Sequence, residues 1–239
     1  MIYYVIPKLI QQPTWGGSHI PETKGLSVKE RIGQSYEFWS GSKLVPMTEL
    51  DKVKVDKMPY LIGSNDVEDE KLVNKVKGII DFEKLNLKEV FGRRRVPEIL
   101  IKFTQAKGNS YQIHSKFKSG DYLPKQESWY FFAKGKITLG LREGVDVKQY
   151  QAICESIYEK TQELSKAVQK KKMKVDDARL ELKRFIELNN PEQFVNVLTP
   201  EADTIVSNTI GGIHHSWEED NTVIPDGNIV FEVQQDVSD

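Results

Sequence analysis

Cysteine is nearly absent: the 239-residue chain has one, Cys154, so no internal disulfide can hold it together. A lone cysteine suits a reducing compartment, and the expected location is the cytoplasm. Uninterrupted apolar runs are short, and none approaches the ~18 residues that a membrane-spanning helix needs. The opening MIYYVIPKLIQQP has Pro7 and Lys8 inside its apolar stretch and no basic leader, which reads against a signal peptide. Charge of one sign is lacking too. Lys plus Arg number 34 against 35 Asp plus Glu, so no net field draws the chain to nucleic acid or to a membrane surface. The clusters Arg93-Arg94-Arg95 and Lys170-Lys171-Lys172 have no interleaved aromatic residues and read as solvated charge. What remains is an ordinary globular composition, 38% hydrophobic, over a length that supports a real core.

The segments that are present are mostly β. IYYVI (2–6), Ile32–Trp39, EILIKF (98–103), SYQIH (110–114), SWYFF (128–132), KITLGL (136–141), FVNVLT (194–199), DTIVS (203–207) and NIVFEVQQ (228–235) are rich in β-branched and aromatic residues. Several are apolar on both faces, which suits a sandwich with helices over an outer sheet face. Two stretches switch to helical spacing. Val67, Leu72, Val76 and Ile79 or Ile80 predict a helical excursion at about 67–90. Val147, Tyr150, Cys154, Ile157, Thr161, Leu164 and Val168, then Val175, Ala178, Leu182 and Phe185, predict a helical hairpin at about 147–188, ended by Asn189-Asn190-Pro191. The expectation is a mainly β chain in which residues 1–239 form a single domain with these two excursions.

Chemistry gathers around residues 110–132. Gln112 and His114 stand two apart in an alternating run, so a strand sets both side chains on one face. Glu127 opens a second run after a loop containing Gly120 and Pro124, and Gly211-Gly212-Ile213-His214-His215 adds imidazoles much later. Two imidazoles, a carboxylate and an amide oxygen form a plausible zinc shell, although single His and Glu residues on strands are mostly structural. His215 points to the other side from His214 if the segment is extended. Trp15 reads as a sugar-stacking ring or as a lid over the core. Lys102 reads as a snorkelling surface amine or as an inward cation near a phosphate.

The order and wording of these residues carry a resemblance. Trp15-Gly16-Gly17, Ile32-Gly33-Gln34-Ser35-Tyr36-Glu37, Gln112-Ile113-His114, Lys125-Gln126-Glu127-Ser128-Trp129, Gly211-Gly212-Ile213-His214 and Phe231-Glu232-Val233-Gln234-Gln235 follow one another as six motifs do in the class I mannose-6-phosphate isomerases. The chain resembles that family of zinc-dependent cupins. The resemblance implies a cupin, or jelly-roll, β-sandwich with one zinc ion per chain, held by Gln112, His114, Glu127 and His214. It implies interconversion of mannose 6-phosphate and fructose 6-phosphate by proton transfer between C1 and C2 through a cis-enediol. Lys125, in the family's Lys-x-Glu position, is the expected catalytic residue in contact with substrate oxygens or charge.

Three departures qualify what the resemblance implies. Ser115 replaces a proline after the first histidine, and Thr209-Ile210-Gly211 blurs the Pro-x-Gly before the second. The family's Glu-x-Gln-Gln strand runs on to a Thr-Tyr-Arg with a catalytic arginine, whereas this sequence stops at Ser238-Asp239. The alternatives are therefore an isomerase that receives this arginine from a partner chain or a C-terminal piece, and a cupin that binds metal and sugar phosphate with little or no turnover. In a third, purely structural reading His114, Glu127 and His214 never meet.

Overall fold

The structure, a computed structural model, describes residues 2–13, 15–64, 69–75, 86–92, 98–107, 112–114, 116–118, 120, 123–216, 220 and 222–237, without the side chains of 215 and 216. The chain divides into two compact units, Met1–Thr138 with Leu198–Asp239, and Leu139–Val197. In chain order the first unit contains β1 (Tyr3–Ile6), β2 (Lys8–Gln11), α1 (His19–Thr23), β3 (Ile32–Phe38), β4 (Lys43–Pro46), α2 (Met47–Leu50), β5 (Tyr60–Gly63), β6 (Lys71–Val73), α3 (Leu87–Phe91), β7 (Ile99–Ala106), β8 (Gln112–Ile113) and β9 (Glu127–Phe131). Then β10 (Ile137–Leu141) runs into the second unit, made of α4 (Val147–Gln169), α5 (Val175–Asn189) and β11 (Val195–Leu198). The first unit closes with β12 (Ile205–Asn208), β13 (Ile213–Ser216) and β14 (Asn228–Gln235). Among the described residues no helix is long and apolar enough to cross a membrane.

An eight-stranded sheet in the order β12-β9-β14-β7-β3-β2-β5-β6 dominates the first unit, antiparallel except for the β2–β5 pair. Separate pairings join β1 to β4 and β8 to β13. The two long central strands, β7 and β14, alternate strictly. Their odd positions Phe103, Ile229 and Phe231 join Leu9, Ile20, Ile32 and Tyr60 in an apolar cluster. Their even positions Lys102, Thr104, Glu232 and Gln234 are buried on the opposite face. The period of two thus sorts each strand into a mainly apolar face and a face that mixes these polar residues with Leu100, Ala106 and Val230. Fully burying one such Phe or Ile contributes about 1.5–3 kcal/mol, which fixes the register.

The mainly β expectation holds, and each strand-like segment contains a strand. The 67–90 segment differs. Lys71–Val73 is a strand paired with Tyr60–Ile62, and helix appears only at Leu87–Phe91; Val67, Val76, Ile79 and Ile80 lie outside the described residues. Leu72 satisfies either period, and the neighbouring edge of β5 supplies the backbone partners that decide for a strand. In the 147–188 segment, Asp146 caps α4 by accepting from the amides of Lys148 and Gln149 at 2.9 and 3.2 Å. Asn190, left-handed at φ 41°, ends α5 immediately before Pro191. Lys160 and Glu181 link α4 to α5 at 2.6 Å. The Asn196 side-chain amide donates to the carbonyls of Leu139 and Leu141, and so ties β11 to β10.

Candidate metal centre

Four of the residues singled out in the sequence converge at one end of the first unit. β8 and β13 pair with Gln112 opposite His214, while Glu127 begins β9. His114 Nε2 lies 3.0 Å from Glu127 Oε1, and His214 Nε2 lies 3.3 Å from both Glu127 Oε2 and Gln112 Oε1. Candidate ligand atoms of His114, Glu127 and His214 all fall within 4.8 Å of one another, and the three residues are buried. Lys125 stands at the same place, with its Nζ 3.1 Å from Glu127 Oε1. The imidazole rings of His114 and His214 are 4.9 Å apart, and Trp129 packs on His214 at 5.4 Å. The side chain of His215 lies outside the described residues.

The side chains gathered here are of the kind that can hold a cation. On its Nε2 side His214 meets two acceptors, the carboxylate of Glu127 and the amide oxygen of Gln112. On its Nδ1 side it meets the carbonyl oxygen of Gly212 at 3.2 Å and the amide of Asn208 at 2.8 Å. Asn208 is buried, and among the described residues its Oδ1 has no hydrogen-bond partner. With the Asn208 amide N–H donating to Nδ1, the His214 ring proton sits on Nε2 and is shared between Glu127 and Gln112. A bound cation would take the place of that proton, with the Gly212 carbonyl then accepting from Nδ1–H. Nitrogen and oxygen donors of this kind suit zinc, and the hydrogen bond on the far ring nitrogen is the usual way a ligating histidine is oriented.

Glu127 feels two opposing influences. Burial pushes its carboxyl up, but hydrogen bonds from His114 and His214 and the charge of Lys125 outweigh that and hold it well below the usual carboxylate range. The carboxylate is therefore ionised and ready as a ligand.

The centre opens into a cavity of about 420 Å³. Across its wall, residues stand in rows fixed by strand register. Gln234 of β14 faces Leu100 and Glu127; Glu232 faces Lys102 and Trp129; Thr104 faces Gln34 and Val230. Lys102, left open in the sequence between a surface amine and an inward cation, is buried in this wall and paired with Glu232 at 3.0 Å. Burial acts against its charge, yet Glu232, Tyr36 and Glu127 together raise its pKa. Burial also raises the carboxyl of Glu232, reinforced by Glu127 and opposed by Lys102. At Lys102 the neighbouring carboxylates outweigh burial, whereas at Glu232 burial is the largest influence. Trp15 also lines the cavity, seated on Gly33, where a Cβ would fall 2.4 Å from the ring. The sequence reading gave Gln34, Thr104, Asn208, Glu232 and Gln234 no role. The available signal was their phase, since Glu232 and Gln234 share one strand face with each other, as do Lys102 and Thr104.

No family model matches the chain, and neither does any curated protein. Solved structures do. The mannose 6-phosphate isomerase from Bacillus subtilis superposes with a TM-score of 0.52 and 16% identity, covering 99% of this chain and 59% of that one. A zinc-bound mannose 6-phosphate isomerase gives 0.51 at 11% identity, with 99% and 69% covered. The Salmonella typhimurium enzyme bound to its substrate and zinc gives 0.50 at 9% identity, with 99% and 68% covered. The chain thus spans 59% of the length of the Bacillus subtilis protein. At such identities the likeness speaks to architecture, and the chain has the mainly β, cupin-type fold of the class I mannose-6-phosphate isomerases, with a buried His-Glu-His cluster able to hold a metal.

Proposed function

We propose that this chain is a metal-dependent aldose–ketose isomerase acting on mannose 6-phosphate, with Gln112, His114, Glu127 and His214 holding one zinc ion. The observation that carries this reading is the convergence of those four side chains at one end of a polar-walled cavity. Zinc, when bound there, supplies Lewis-acid polarisation of carbonyl and hydroxyl oxygens. The protein's own groups do the rest. Asn208 and Gly212 orient His214, Trp129 and Phe131 exclude water from one wall, and Lys125 Nζ stands beside Glu127 to donate a hydrogen bond to a substrate oxygen. Our reading also takes residues 1–239 as one cytoplasmic domain, in which the two compact units unfold together; scanning calorimetry should then give one transition, and two separated transitions would overturn that part.

A second reading draws on a specific observation. Both lysines of the cavity wall are already neutralised, Lys102 by Glu232 and Lys125 by Glu127. Such a cavity binds a sugar phosphate through zinc and hydroxyl contacts with little turnover. One set of measurements decides. Purified protein is dialysed against zinc, its metal content measured, and the zinc-loaded protein assayed for both binding and isomerisation of mannose 6-phosphate. The isomerase reading expects about one zinc per chain, lost in His114→Ala and Glu127→Gln, together with turnover. Zinc and sugar phosphate bound without turnover supports the second reading, and absence of zinc binding sinks both.

A further inference from the structure

Two polar atoms in the cavity wall stand unpaired. Thr104 Oγ1 and Gln234 Oε1 are buried and have no hydrogen-bond partner among the described residues, and both residues, each 5% exposed, line the cavity. Burying an unpaired hydroxyl or amide costs about 1–3 kcal/mol, and valine or methionine in the same volume would avoid that cost. Neither residue is needed to hold the strands, since β7 and β14 pair through their backbones over the whole of Ile99–Ala106.

Their placement is informative. Gln234 stands directly across the sheet from Glu127, beside the metal centre. Thr104 stands beside Gln34, in a row whose other members, Val230 and Phe131, carry no polar side-chain atoms. Between these rows lies the Lys102–Glu232 pair, whose charges are satisfied mutually. From the row of Gln234, which is that of Leu100, to the row of Thr104 is four residues of β7, or about 13 Å of strand. The hydroxyls of an open-chain hexose 6-phosphate, from C1 to C5, bridge such a span with a hydrogen bond at each end. The wall therefore presents neutral acceptors at its two ends with a self-compensated ion pair between them, which matches hydroxyl groups rather than a second anion.

We propose that Thr104 and Gln234 recognise hydroxyl groups along the sugar chain, Gln234 next to the metal-bound end and Thr104 farther along, short of the phosphate. This rests on the reading above that the cavity takes a sugar phosphate. Both residues are specificity-determining contacts, and their unpaired oxygens become paired only in the complex.

The test uses the full-length, zinc-loaded protein and titration calorimetry with mannose 6-phosphate, alongside thermal melting without sugar. Thr104→Val and Gln234→Met keep the volume and delete the acceptor. Each should weaken Kd about tenfold while leaving the ligand-free Tm unchanged or raised, because an unpaired buried group has been removed. Thr104→Ser keeps the hydroxyl and should restore near wild-type affinity, which also guards against misfolding as the cause. Unchanged Kd in both variants overturns the proposal while leaving the sugar-phosphate reading intact. A lowered Tm with unchanged Kd assigns the two residues to the scaffold and overturns it as well. Failure of the wild-type protein to bind mannose 6-phosphate overturns the underlying reading, and this inference with it.

Discussion

The two faces of β7 and β14 are built from the same strands and follow opposite rules. On one face Phe103, Ile229 and Phe231 meet Leu9, Ile20, Ile32 and Tyr60 in an apolar cluster. On the other, Lys102, Thr104, Glu232 and Gln234 are buried just as deeply and line a cavity. Burial by itself therefore does not distinguish core from site. The difference lies in how the polar atoms are satisfied. The apolar face needs no partners, whereas the polar face is partly self-paired, as in Lys102–Glu232, and partly unpaired, as at Thr104 and Gln234. A face that keeps unpaired polar atoms gives up stability in exchange for binding, while its reverse supplies the stability.

Three tests break or sharpen this contrast. Phe103→Ala should have the largest effect, about 3–5 kcal/mol in urea unfolding, because it leaves a cavity among packed neighbours. A loss below about 1 kcal/mol would show that the apolar face does not carry the fold. On the polar face, Lys102→Met alone should cost about 3–5 kcal/mol by leaving Glu232 buried and uncompensated. Adding Glu232→Leu should return most of that loss, and a double-mutant cycle measures the return; simple addition of the two single losses would contradict the pairing. Ile205→Thr, at the exposed edge of the sheet on β12, should shift stability by no more than about 0.5 kcal/mol, and a larger fall would extend the apolar face to the sheet edge.

Much of the β framework was legible because alternation with a period of two is local. EILIKF and NIVFEVQQ announce their strands and also which residues share a face. Lys71-Leu72-Val73 was not legible, because three residues fit either period and the deciding backbone partners belong to Tyr60–Ile62. In the candidate site, the common face of Gln112 and His114 follows from spacing. That Glu127 lies opposite Gln234, or that Lys102 finds Glu232, depends on strand order, and nothing local encodes strand order. Asn208 shows the same limit at short range. It is only six residues from His214, yet their meeting depends on β12 and β13 leading to different pairings, with β9 and β8.

The chain alone therefore settles which residues alternate, where the two long helices run, and that Gln112 and His114 project together, because backbone geometry and hydrophobic period act over a few residues. Tertiary structure alone brought His214 to within 3.3 Å of Gln112, 102 positions earlier, paired Lys102 with Glu232, and left Thr104 and Gln234 with unpaired oxygens. The physical reason is that a side chain's identity fixes what it can donate or accept, while sheet pairing across distant segments decides what it meets.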